Sequence, residues 1–219
     1  MSAQLVLPET PIAIEPGGHA VCDALVRNMA LVADRFTFEV VGAPTTWATV
    51  DPPVLELGPE ASGCVRIRFH PPRAAHVRAG NTPFALLATS ERDRSSALAE
   101  QLLALNRFFD TALELEQRAV RWRTARYSLG VINRGNATVR LQLSGRDLDG
   151  WLVVDCDPVE MTVFPGAAEY ARVHVRLRRA PATPEPLSFQ VVARSDGHDP
   201  LLATGRLAPR RRRLGWTLR

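Results

Sequence analysis

The sequence predicts an all-β protein made of two tandem antiparallel β-sandwiches, and three observations lead there. The chain repeats itself: "FALLATS" at Phe84–Ser90 is answered by "FQVVARS" at Phe189–Ser195, 105 residues later. Apolar and polar residues alternate with period two over many short segments, as antiparallel strands require when one face covers a core and the other meets water. Between those segments stand "EPGG", "NRGN", "DPP", "PPR" and "SDGHDP", clusters of the residue types that turns demand.

The repeat extends along most of the chain. Asn28 is echoed by Asn133, and Phe36 and Phe38 by Leu141 and Leu143, each 105 residues on; Trp47 matches Trp151 at 104, Pro53 matches Pro158 at 105, and Pro59 matches Pro165 at 106. So steady an offset means two copies of one unit. The expected domains are residues 1–105 and 106–209, followed by a tail at 210–219.

Each copy reads as strands in the same order. Phe36, Phe38 and Val40 alternate with Arg35, Thr37 and Glu39, and the second copy answers with Val139, Leu141 and Leu143 against Arg140, Gln142 and Ser144. Further on, Val65, Ile67 and Phe69 flank Arg66 and Arg68, matched by Val173, Val175 and Leu177 around His174 and Arg176. About seven short strands per copy, separated by turns, suit a sandwich. The segment "SSALAEQLLALNRFF" at 95–109 is rich in helix formers, but its counterpart "PLLATGRLAP" at 200–209 is not, and the repeat predicts a strand for both. The join "ALNRFFD" is short, and Phe108 and Phe109 are placed to pack one against each domain.

The residues "NRGNATVRLQLSG", "GWLVV", "DPVEMTVFPGAAEYARVHVRL" and "FQVVARS" resemble the bacterial Ig-like modules grouped with the NEW3, CARDB and major-sperm-protein-type β-sandwiches. The second copy carries the whole pattern; the first departs from it, with "NMALVADRF" in place of N-x-G-N and "TTW" in place of Gly-Trp. The resemblance implies two tandem Ig-like sandwiches that hold, space or bind other molecules. It names no ligand.

Charge sets the tail apart. The chain has no lysine, and its 27 basic residues against 23 acids give a net charge of +4. Five of those arginines lie in the last eleven residues, "PRRRRLGWTLR", so the body is close to neutral and is no nucleic-acid platform. Arg210, Arg211, Arg212 and Arg213, with Trp216, are the candidate contacts to an anionic surface, since clustered arginines favour anionic lipid and tryptophan suits the headgroup zone. The start of the chain lacks a basic-then-apolar leader pattern. No apolar run is long enough to span a bilayer as a helix, and three cysteines are too few and odd for a disulfide framework. The expected location is the cytoplasm, at the inner face of the membrane if the tail engages it.

Motifs for chemistry are weak throughout. His19, His70, His76, His174 and His198 are scattered without metal-ligand spacing. Asp155, Asp157 and Glu160 lack the glycine and the oxygen count of a calcium loop. Ser195, His198 and Asp199 crowd one turn, where a triad is hard to assemble, and no glycine-rich phosphate loop is present. Trp47 and Trp151, at equivalent places, read as core-closing residues. The arginine-rich segment 118–126 around Trp122 reads as a charge-protected edge strand.

The expected function is therefore a scaffold or adaptor without catalytic activity or cofactor, binding a protein partner and, through the tail, an anionic membrane. No specific nucleic acid and no small-molecule substrate are expected. A narrower expectation, from resemblance alone, is an accessory part of a contractile injection system. The competing expectation is a carbohydrate-binding module beside a glycosidase-type domain, which would want exposed aromatic side chains on one face.

Overall fold

The alternating segments become strands because each supplies one apolar row to a core and one polar row to solvent. The computed structural model describes residues 3–147, 149–179 and 185–208. The chain divides into two compact units, Met1–Phe108 and Phe109–Arg219.

The first unit contains β1 (Ala3–Val6), β2 (Ile12–Ile14), β3 (Ala20–Asn28), β4 (Asp34–Gly42), β5 (Ala48–Asp51), β6 (Val54–Leu57), β7 (Ser62–Phe69), β8 (Gly80–Ser90) and β9 (Ser96–Leu105). One sheet has the order β1-β3-β7-β5 and the other β2-β9-β8-β4-β6. Phe36, Phe38 and Leu86 from the second sheet meet Val65, Ile67 and Phe69 from the first in one core. Burying side chains of this size contributes about 1.5–3 kcal/mol each.

The second unit contains β10 (Thr111–Arg121), β11 (Thr124–Asn133), β12 (Val139–Arg146), β13 (Leu152–Asp157), β14 (Glu160–Val163), β15 (Ala168–Leu177), β16 (Leu187–Arg194) and β17 (Leu201–Leu207). Its sheets run β10-β11-β15-β13 and β14-β12-β16-β17, with Leu129, Val131, Val173, Leu141, Leu143 and Phe189 in the shared core. The echoed phenylalanines do the same work in both units. Phe84 meets Phe69 edge-on at 5.0 Å, and Phe189 meets Tyr127 edge-on at 5.1 Å.

Several expectations need correction. The first unit has nine strands and the second eight among the described residues, against about seven expected; the first unit's additional strand arises because the N-terminal stretch forms β1 in one sheet and β2 in the other. The switch falls at Pro8 and Pro11, which lack the N–H needed to continue a ladder. The pairing is not antiparallel throughout: β2 runs parallel to β9, Ile12 opposite Leu103 and Ile14 opposite Leu105. The segment 118–126 is not one edge strand. It is a hairpin, with Trp122 and Arg123 at the turn between β10 and β11 and the Arg123 guanidinium 5.3 Å from the Trp122 ring centroid.

Strand register also revises two equivalences. Asp51 pairs with Arg66 and Asp157 with Arg172, so Pro158 corresponds to Pro52 and not to Pro53. Trp47 and Trp151 both sit just before a strand and pack partly buried against their cores. However, the Trp47 carbonyl accepts from the His70 N–H and the Trp151 carbonyl from the Arg178 N–H, so the β13–β15 pairing extends further. The segment 95–109 does form a strand over Ser96–Leu105. Phe108 is buried under the Arg73 guanidinium at 4.2 Å, within the first unit. Phe109 lies 4.1 Å from the His198 ring, within the second.

Candidate interaction surface

The four arginines Arg210 to Arg213 and Trp216 lie outside the described residues. Among the described residues, no group of three His, Cys, Asp or Glu side chains converges to hold a metal ion, and no helix is long and apolar enough to cross a membrane. Ser195, His198 and Asp199 sit at one turn, but the His198 ring packs on Phe109. Asp155 instead approaches Arg176 at 3.6 Å across the sheet. Cys22 and Cys64 are unbridged, one buried and one exposed, because β3 and β7 turn them to opposite faces of their sheet.

The surface that departs most from expectation is the outer face of β4, β8 and β9. Outward positions alternate with the core positions, and cross-strand register brings them into rows: Val41 beside Ala85 beside Glu100, Glu39 beside Leu87 beside Leu98, and Pro83 beside Leu102. Leu98 is 53% exposed, Val41 41% and Leu102 37%. Together with Pro83, Ala85 and Glu100 they line an open groove of about 500 Å³, within the roughly 300–1,000 Å³ usual for binding clefts. Glu39 and Glu100 are exposed, make no ion pair with a described residue, and give the groove a negative rim.

The second unit provides an internal comparison. The same register places Arg146 beside Gln190 where Val41 meets Ala85, Arg206 beside Ser188 where Leu102 meets Pro83, and Thr204 beside Gln190 where Glu100 meets Ala85. Leu202 and its neighbour Val192 keep the apolar character of the corresponding Leu98 and Leu87. The backbone frame therefore holds with a more polar outer face, and the apolar groove of the first unit is not demanded by its fold. The signal was present in "ALAEQLLAL", a strand with leucines on both faces, but that pattern also suits a helix and so hid the second, solvent-facing row.

A second departure lies at the other end of β4. In the first unit Asn28 is fully buried; its amide donates to the carbonyls of Val32 at 2.8 Å, Gly58 at 2.9 Å and Leu57 at 3.2 Å, and its Oδ1 accepts from the Ala30 N–H at 2.9 Å. In the second unit Asn133 donates to Ala137 at 2.9 Å and Val163 at 3.0 Å, and accepts from the Gly135 N–H at 3.0 Å. The loop frame is thus the same. Its tip is apolar in one copy, with Leu31 82% and Met29 49% exposed, whereas Arg134 and Thr138 are the exposed residues of the other.

No family model and no curated protein sequence matches the chain. Among solved structures, the E. coli chaperone DraB is similar at 14% identity and a TM-score of 0.35, covering 91% of this chain and 98% of its own. The Salmonella enterica SafA pilin–SafB chaperone complex is similar at 13% identity and a TM-score of 0.35, covering 91% of this chain and 95% of that one. The YadV chaperone is similar at 12% identity and a TM-score of 0.34, covering 94% of this chain and 100% of that one. At such scores the likeness carries no inference about function.

Proposed function

We propose that this protein is an adaptor of two Ig-like sandwiches, akin to the bacterial Ig-like modules, whose first unit binds a protein partner through the outer face of β4, β8 and β9. The observation that carries this reading is the replacement of a polar sheet face in the second unit by an apolar groove in the first. Val41, Leu98 and Leu102 supply apolar area, and Glu39 and Glu100 select a partner segment whose aliphatic side chains are flanked by arginine or lysine. The adaptor role requires no catalytic group. An accessory place in a contractile injection system is a narrower version of the same reading, as is a cytoplasmic location beside the membrane.

The carbohydrate-binding alternative fares less well. Trp122 and Tyr170 are exposed, but β11 pairs Gly130 with Tyr170 and Thr124 with Arg176. The two rings therefore belong to opposite ends of one sheet, roughly 20 Å apart at the usual strand rise, and form no shared platform.

Selection of a displayed random-peptide library on the intact protein tests the groove. Enriched peptides carry aliphatic residues flanked by basic ones and bind the Leu98→Asp variant at least tenfold more weakly. Peptides that bind wild type and Leu98→Asp equally well overturn the assignment.

A further inference from the structure

We infer that the apolar tip Met29–Val32 of one molecule seats in the groove on β4, β8 and β9 of a second copy, so that the chain associates head to tail. This rests on the groove being a protein-binding site, and it names one occupant for it. The inference begins from the repeat. Among the differences between the two copies of the frame are two places where the first unit is apolar at its surface and the second is more polar: a convex loop tip and a concave sheet face. Neither feature is needed to hold its backbone, since Asn133 supports an equivalent loop with polar exposed residues and β12, β16 and β17 support an equivalent face with arginines.

The tip is built to enter an apolar site. Its Ala30 N–H and its Ala30 and Val32 carbonyls are already bonded, to Asn28 Oδ1, the Glu60 N–H and Asn28 Nδ2 respectively. Those three backbone groups lose no water when the tip is covered, which lowers the cost of burying the loop. Leu31, Met29 and Val32 then contribute apolar area.

Geometry excludes a contact within one unit. The tip precedes Asp34 at the start of β4, and the groove begins at Leu98, in the row of Glu39 on that strand. Five residues of strand separate them, roughly 17 Å at about 3.3 Å per residue. One unit cannot fold its own loop onto its own groove, but two molecules can. Charge favours the same pairing. Glu100 lines the groove and Glu39 stands beside it, while Arg27, Arg92 and Arg94, exposed at the tip end, form no ion pair with a described residue. Glu60 and Asp93 at the same end offset part of that positive charge, so electrostatics adds little and the apolar contact carries the pairing.

A tip that docks on a different surface of its neighbour makes a heterologous contact, which leaves one free tip and one free groove on every open assembly. Three aliphatic side chains bury far less than the roughly 1,200 Å² of a stable complex, so the association is weak and grows with concentration.

Sedimentation velocity of the full chain between about 10 and 500 µM tests it, at concentrations that bracket weak association. The wild type shows a weight-average coefficient that rises with concentration. Leu31→Asp and Leu98→Asp each remain monomeric, and an equimolar mixture of the two forms pairs and nothing longer, because the groove of one still accepts the tip of the other. Leu31→Ser and Leu98→Ser guard against misfolding, with circular dichroism confirming native spectra. A monomeric wild type throughout the range, undiminished association of either variant alone, or a mixture that stays monomeric overturns the inference. Groove-binding peptides found for a chain that does not self-associate overturn this inference alone. Loss of vesicle binding by Leu31→Asp with no self-association in wild type assigns the tip to a lipid surface and overturns it equally.

Discussion

Asn28 and Asn133 are the same residue written twice: each is fully buried at the end of a strand, and each ties the loop that follows it to the turn of the facing sheet. Each side-chain amide serves main-chain groups that would otherwise be buried without partners. The side-chain oxygen accepts from the residue two positions on, and the nitrogen donates to the residue four positions on, in both units.

Replacing either asparagine by alanine leaves two or more buried backbone groups unpaired, at about 1–3 kcal/mol each. Asn28→Ala and Asn133→Ala are each expected to lower the urea midpoint by the equivalent of about 2–3 kcal/mol, with the loss confined to the unit that carries the change. An unaltered midpoint for either variant means that its loop is held by other contacts.

The cysteines differ in reactivity. Burial, with lesser contributions from Asp23 and Cys64, pushes the Cys22 thiol from its ordinary 9.0 up to about 11, and burial also raises Cys156. At pH 8 iodoacetamide is expected to modify exposed Cys64 first, Cys156 more slowly, and Cys22 only on unfolding. Equal labelling of Cys22 and Cys64 in the native protein contradicts the strand phase.

The raised Cys22 value also sets a pH window. The folded thiol keeps its proton where the unfolded one loses it, so its contribution is complete below about pH 9 and is lost as pH rises towards about 11. Burial raises the Tyr127 phenol as well, in the same direction. Cys22→Ala is therefore expected to flatten part of the alkaline fall in stability, measured by urea unfolding from pH 8 to 11. An unchanged slope assigns the fall to other groups.

The tail makes a separate prediction from sequence. Each arginine near an anionic bilayer contributes about 1 kcal/mol, so Arg210–Arg213 and Arg219 supply at most about 5 kcal/mol, a weak and salt-sensitive attraction. Binding to anionic liposomes is expected to fade as salt rises and to vanish when residues 210–219 are deleted. Equal binding by the truncated chain moves the contact to the two units.

What the sequence determined by itself was local or repeated: the period-two strands, the turns, the 105-residue echo, and the two asparagines and two phenylalanines that recur at equal depth. Alternation survives in a single strand because it reports which side chains a solvent-facing sheet buries, and that signal needs no partner. Pairing does need one. The parallel β2–β9 contact, the hairpin at Trp122 and the correspondence of Pro52 with Pro158 were decided by tertiary structure, since strand neighbours come from distant parts of the chain. The groove belongs to the same class. Leu98 and Leu102 read as ordinary apolar residues in sequence, and only the register that sets them beside Leu87 and Pro83, on the face turned away from the core, makes them a surface.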